Sequence, residues 1–245
     1  MTRIDPMGDG IYRISTQAWG FPITMNQFLI DDEHPALIHT GTFPVYEAVR
    51  SAVAEVLDPK RLRYVVVPHF EADECGGMGR FVADAPEATL ICSEVGAAVN
   101  LSGWDYSGSV QGQRDGDTLE LGTHTLRFLE TPHVHHWDSM MVVDETTGSL
   151  FPADLFIQPG DQPPVVEEDM TIAMCQLYRE SGIFAAKEPV VAVVERLERL
   201  DLNWVHPMHG GSLSKAALPR YARALREEGI AFDGTLLGRR LPGVI

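Results

Sequence analysis

His69, Glu71, Asp73 and Glu74 crowd into one short segment, and His135, Asp154 and His209 follow at long intervals. Imidazole nitrogens and carboxylate oxygens are the donors that hold metal ions. The first four stand directly after Tyr64-Val65-Val66-Val67-Pro68, which reads as a buried strand. Polar groups at the mouth of an apolar strand are costly unless a charge compensates them, and the most economical compensation is a pair of metal ions. His69, Glu71 and Asp73 occupy alternate positions. On an extended segment they face one way, and on a loop they can converge on two adjacent ions. A lone H-x-E-x-D arises by chance on solvated loops. Its place after a buried strand, with three later candidates each at a strand end, makes the signal strong.

The elements that must position these residues are legible from periodicity. Strands are expected at Gly10–Ile14, at Met25–Ile30 paired with Ala36–Ile38, and at Tyr64–Val67 and Thr89–Cys92. A β-rich middle follows at Thr118–Leu121, His124–Glu130, Ser139–Val143 and Gly148–Phe151, with Asn203–Val205 as a late short strand. Val49, Val53 and Leu57 mark a helix over Tyr46–Leu57. Further helices are expected from Gly76-Gly77-Met78-Gly79 to about Ala85, near Val95–Leu101, and at Glu188–Leu200 and Lys215–Glu228. Alternation in two successive halves places the chain in the α/β class, with helices covering the outer faces of sheets. Ile157 to Ala186 is the least regular stretch; beginning beside Asp154, it reads as a lid or pocket wall, or as a plain surface loop.

At 245 residues and 44% hydrophobic content, the chain can bury one large core. No linker-like composition divides it, so a single domain over 1–245 is expected. A net charge of −16 argues against a nucleic-acid partner and disfavours an anionic membrane surface. Met1–Pro6 carries no apolar signal core, and no run of roughly 18 apolar residues can span a bilayer. Cys75, Cys92 and Cys175 form neither a disulfide framework nor a C-x-x-C motif, which fits a reducing cytoplasm. Cys75 reads as a small buried thiol.

The ordered set, His69-Phe70-Glu71-Ala72-Asp73-Glu74, Thr131-Pro132-His133-Val134-His135-His136-Trp137-Asp138-Ser139-Met140, Phe151-Pro152-Ala153-Asp154 and Pro207-Met208-His209-Gly210, resembles the metallo-β-lactamase superfamily. Within it the chain is most similar to the diiron domain of flavodiiron proteins and their stand-alone oxygen-binding relatives. Those carry H-x-E-x-D-H, where zinc hydrolases carry H-x-H-x-D-H. The second segment resembles their T-P-x-x-H-W-P-D-S-M without a gap, which selects His135 as the ligand over its histidine neighbours. The resemblance runs from about residue 8 to 215. It implies a four-layer αββα sandwich, with a homodimer common in that family. One metal would take His69, Glu71 and His135, and the other Asp73, Glu74 and His209, with Asp154 between them. Four carboxylates and three imidazoles suit iron, or manganese; zinc sites lean more on nitrogen and sulfur, and zinc is the remaining alternative.

Two departures stand out. Glu74 takes the place of the last histidine of the motif, and Leu37-Ile38-His39-Thr40-Gly41 reads where the superfamily has I-D-T-G. His39 either hydrogen-bonds a ligand carboxylate or is a satisfied interior histidine. His133, His136 and His206 read as supporting or surface positions, His34 and His124 carry no signal, and Trp137 reads as a packing residue. Gly76-Gly77 reads as a tight backbone passage beside the metals.

Three functions follow. The resemblance implies a binuclear non-haem centre that binds or reduces dioxygen or nitric oxide, with an external electron donor in place of a flavodoxin-like domain. In that case no side chain acts as a nucleophile. The second reading is a binuclear hydrolase of a thioester, lactone or phosphoester, with a metal-generated hydroxide as attacking group. The third is a protein with one metal or none.

Overall fold

In a computed structural model of the chain, residues 2–17 and 23–232 are described; Met1 and residues 233–245, the two ends of the expected domain, lie outside them. Strands β1 (Arg3–Gly8), β2 (Ile11–Gln17), β3 (Thr24–Ile30), β4 (Ala36–Ile38), β5 (Tyr64–Val66), β6 (Thr89–Ser93) and β7 (Ser109–Gln113) form a seven-stranded sheet in chain order. Pairing is antiparallel as far as β4 and parallel from β4 to β7. Helix α1 (Tyr46–Ala54) lies in the β4–β5 crossover. Helices α2 (Ala72–Cys75) and α3 (Met78–Asp84) lie in the β5–β6 crossover. The second sheet is built from β8 (Thr118–Glu120), β9 (Thr125–Glu130), β10 (Met140–Asp144), β11 (Ser149–Phe151), β12 (Trp204–Val205) and β13 (Leu213–Ser214). Its six strands run in the order β13-β12-β11-β10-β9-β8. Helices α4 (Thr171–Ser181), α5 (Glu188–Leu197) and α6 (Leu218–Glu227) cover it.

The two-residue side-chain period of a strand sorts the apolar residues into three cores. Phe28, Ile30, Ile38, Val66 and Ile91 point inward and meet Phe128, Met140, Val142 and Phe151 between the sheets. Their neighbours Leu29, Leu37, Val65 and Leu90 point outward, against Val49 and Val53 of α1 and Phe81 of α3. Met141, Val143 and Leu150 pack on Met174 and Tyr178 of α4, Val190 and Val194 of α5, and Leu225 of α6. The product is the expected four-layer αββα sandwich. Because both faces of both sheets are covered, β3, β4, β10 and β11 are buried along their whole length.

Several details depart from the periodicity. The stretch Ile157–Ala186 holds α4, whose buried face is only Met174, Cys175 and Tyr178, too narrow a stripe to read in advance. Strand β7 is exposed over Ser109–Gly112 and so has no alternation to betray it. Gly96–Asn100 forms a π-helical turn rather than an α-helix. Lys215–Ala217 precedes α6, whose start is pinned by Pro219 in its first turn. Cys75, Cys92 and Cys175 are free and buried. Among the described residues no helix is long and apolar enough to cross a membrane.

The inter-sheet core is the structural link between the two halves, and Phe28 and Phe151 join across it edge to face with centroids 5.2 Å apart. Phe151→Ala is expected to lower the stability measured by urea unfolding by about 3–5 kcal/mol. A loss below about 1 kcal/mol would show that the sheets are not held by this contact.

Candidate metal centre

The candidate ligands all sit where strands end at one edge of the sandwich. His69 follows β5, and Glu71 precedes α2, which carries Asp73 and Glu74. His135 lies in the β9–β10 loop, Asp154 follows β11 and His209 follows β12. Backbone bonds stitch these loops together across the sheets. Met140 N donates to Pro68 O at 3.0 Å, Asn26 N to Met208 O at 2.7 Å, and Met208 N to Ala153 O at 2.9 Å. Thr40 clamps the turn after α2, with its backbone N and its Oγ1 donating to Glu74 O at 2.7 and 2.9 Å. A Cβ at Gly76 would come within 2.7 Å of Phe43 N, so the expected tight passage is real and only glycine fits it.

Seven candidate side chains thereby come to one place, in two unequal groups. His135 Nε2 lies 3.0 Å from Glu71 Oε2 and 3.0 Å from Asp154 Oδ2. His69 Nε2 lies 3.2 Å from the same Glu71 oxygen and 3.4 Å from the same Asp154 oxygen. Opposite them, His209 Nε2 is 3.3 Å from Asp73 Oδ2 and 3.4 Å from Asp154 Oδ1. The two oxygens of Asp154 therefore face different histidines. Glu74 turns Oε2 towards the far side of His69, 3.2 Å from its Nδ1 and 3.5 Å from His39 Nδ1. His39 is thus turned to a carboxylate, and neither of its ring nitrogens has a hydrogen-bond partner, so it is not a satisfied interior histidine.

Electrostatics bind the group further. Burial would push His135 down, but hydrogen bonds to Asp154 and Glu71 outweigh it and raise it to about 9. Burial opposes protonation of His209 too, yet Asp73 and Asp154 bring it up to about 9. Against burial, the charge of Glu74 and hydrogen bonds to Asp154 and Glu71 hold His69 well above the usual imidazole range. Glu71 is lowered to about 2, since hydrogen bonds to His135 and His69 overcome its burial. Asp154 is likewise held well below the usual carboxylate range by His135 and His69 despite its burial. In the ion-free protein the balance favours protons on His69, His135 and His209 and charge on Glu71 and Asp154.

The donor set fits a pair of cations. Donors bound about 2.0–2.1 Å from one ion sit roughly 2.8–3.4 Å from each other in right-angled or tetrahedral geometry, a range that includes the spacing seen here. Asp73 Oδ1, Glu74 Oε1 and Asp154 Oδ1 are buried without any hydrogen-bond partner, an arrangement that a cation relieves. His209 donates Nδ1–H to Thr24 O at 2.7 Å, which leaves Nε2 free to ligate.

Supporting residues were harder to foresee. Arg13, fully buried in β2, donates to Gly210 O at 2.9 Å, and Asn26 Nδ2 donates to Gly210 O and Pro207 O at 2.8 and 2.9 Å. Together they fix the His209 turn. Tyr178 of α4 donates its hydroxyl to Asp154 O at 2.8 Å and accepts from Ile157 N at 3.2 Å. The irregular stretch is therefore a wall behind Asp154, not a detached surface loop. His206 is buried away from the donors, 2.7 Å from Ser212 Oγ, and His133 is exposed. Trp137, expected to pack, is 52% exposed at the mouth of the site. His136 unexpectedly joins His69, Glu71 and His135, one ligating atom from each lying within 4.8 Å of the others.

Comparison with known proteins agrees with this architecture. The chain is 28% identical over 165 residues to a nitric oxide reductase of Moorella thermoacetica, covering 61% of this chain and 41% of the relative. It is 30% identical over 136 residues to a rubredoxin-oxygen oxidoreductase of Megalodesulfovibrio gigas, covering 55% and 34%. An uncharacterized protein of Methanocaldococcus jannaschii is 26% identical over 220 residues, 82% of this chain and 55% of its own length. The chain thus spans between about a third and about half of the curated relatives it matches. In three dimensions it superposes on rubredoxin oxygen:oxidoreductase from Desulfovibrio gigas with a TM-score of 0.84 at 22% identity, over 92% of this chain and 61% of that one. A fragment of a putative diflavin flavoprotein from Nostoc matches with a TM-score of 0.81 at 19% identity, over 92% and 95%. Residues 23–210 match the family described as ODP family beta lactamase, and the chain belongs to that metallo-β-lactamase-like family.

Proposed function

We propose that this chain houses a binuclear non-haem centre, built for iron, that binds or reduces dioxygen or nitric oxide. The observation that carries the reading is Asp154, a buried carboxylate whose two oxygens face imidazoles on opposite sides. His69, Glu71 and His135 would hold one ion. Asp73, Glu74 and His209 would hold the other, with Glu74 offering its unpartnered Oε1 while Oε2 braces His69. When bound, two ferrous ions supply one electron each to a diatomic molecule. The protein's part is to fix the donors, tune their charge and control access. Tyr178, Thr24 and Arg13 lock Asp154, His209 and the turn beyond it through backbone contacts. Glu71, 41% exposed, forms the open side of the centre.

Relatives named for nitric oxide or oxygen chemistry support a redox role over hydrolysis. Glu71, in the place of the second histidine of zinc hydrolases, adds to that preference. An external donor would deliver electrons, and the buried free thiols fit a reducing cytoplasm.

Protein purified without added metal is expected to carry two irons per chain, and its chemically reduced form to consume dioxygen in an oxygen electrode. Two zincs and no uptake would overturn the redox reading. Asp154→Ala is expected to lose both ions and Glu74→Ala mainly one, by metal analysis; two ions retained in both variants would refute the ligand assignment.

A pH dependence follows from the same charges. His135 and His209, raised to about 9, and His69, raised as well, carry protons at pH 7 in the ion-free protein. A metal must displace them, so affinity is expected to fall as pH drops from about 9 towards neutrality. Calorimetric titration in two buffers of different ionisation enthalpy should show net proton release at pH 7. Binding without proton release would contradict the protonated cluster.

A further inference from the structure

We infer that His136 is an additional donor to the ion held by His69, Glu71 and His135, an inference that rests on the binuclear reading above. In the resembling T-P-x-x-H-W-P-D-S-M segment, tryptophan follows the ligand histidine, whereas here Thr131–Met140 places a second imidazole there.

The geometry is that of three imidazoles meeting on one cation. Ring centroids are 5.0 Å apart for His69 and His135, 4.7 Å for His69 and His136, and 4.5 Å for His135 and His136. An imidazole bound at about 2.1 Å puts its centroid roughly 3.2 Å from the ion, so two such rings at right angles lie about 4.6 Å apart. His136 Nε2 points at the shared oxygen, 3.6 Å from Glu71 Oε2. Its other nitrogen, Nδ1, faces Asp138 Oδ1 at 3.8 Å, a buried oxygen with no hydrogen-bond partner. A carboxylate behind the distal nitrogen is the usual means of orienting a ligating histidine. Asp138 is itself anchored, its Oδ2 accepting from Phe70 N at 3.2 Å.

The loop also holds His136 in place. Its N donates to Ser139 Oγ at 3.0 Å, and its carbonyl accepts from His133 N at 2.7 Å. The ring stands between the donors and a cavity of about 590 Å³ lined by Phe70, Asn100, Trp104, His133 and Trp137. With His136 bound, the first ion has three imidazoles and the second one, so the two ions differ in affinity.

Anaerobic titration with ferrous iron, on wild type and on His133→Gln, His135→Gln and His136→Gln, tests this. At one iron per chain, X-ray absorption is expected to count three imidazoles in wild type and two in His136→Gln. The tighter ion should bind His136→Gln about 10- to 100-fold more weakly. His133→Gln and the metal-free melting temperature should stay unchanged. A wild-type count of two, or His136→Gln binding like wild type while His135→Gln does not, overturns the inference and leaves the binuclear reading standing. Failure of wild type to bind two ions removes both.

Discussion

The Asp154 carboxylate is almost completely buried, and the architecture around it answers the cost of that burial. An ionised carboxylate taken out of water must be paired on every side. Here Oδ2 meets His69 and His135, and Oδ1 faces His209. These partners come from both sheets, so the residue stands at the seam of the sandwich. The hydrophobic layers set the spacing of that seam, and the seam sets the spacing of the donors. Tyr178 from the outer helical layer grips the Asp154 carbonyl, which ties α4 to the same point.

From that constraint follows an asymmetry. On one side imidazoles and a half-exposed carboxylate cluster tightly, with His136 and open space beyond. On the other, His209 is the single imidazole and meets one oxygen each of Asp73 and Asp154. Nitrogen-rich coordination favours the later divalent metals, and oxygen-rich coordination favours harder ions and the higher oxidation states. A centre whose halves differ this way would hold its two ions with unequal affinity.

Much of this was legible from residue order. The ligand candidates were visible because they follow apolar runs, and those runs at Met25–Ile30, Ala36–Ile38, Tyr64–Val67 and Thr89–Cys92 marked β3 to β6. The narrow stripe of α4 hid it, and the exposure of β7 erased its alternation. Arg13, Asn26 and Tyr178 escaped notice because they act through backbone atoms far away in sequence, and no local pattern encodes such contacts. His136 was hidden by its neighbour: adjacent histidines look redundant until the loop's fold turns both rings the same way. Glu74 and His39, two separate departures in the sequence, proved to face each other in space. That juxtaposition of one buried carboxylate and one buried imidazole is something residue order could not show.

Asp154 would join two ions into a single unit. Mössbauer spectroscopy of protein loaded with iron-57 and oxidised tests it directly. If Asp154 joined the two ions, two distinguishable ferric sites with coupled spins would be seen. Two independent high-spin ferric signals at full loading would contradict it.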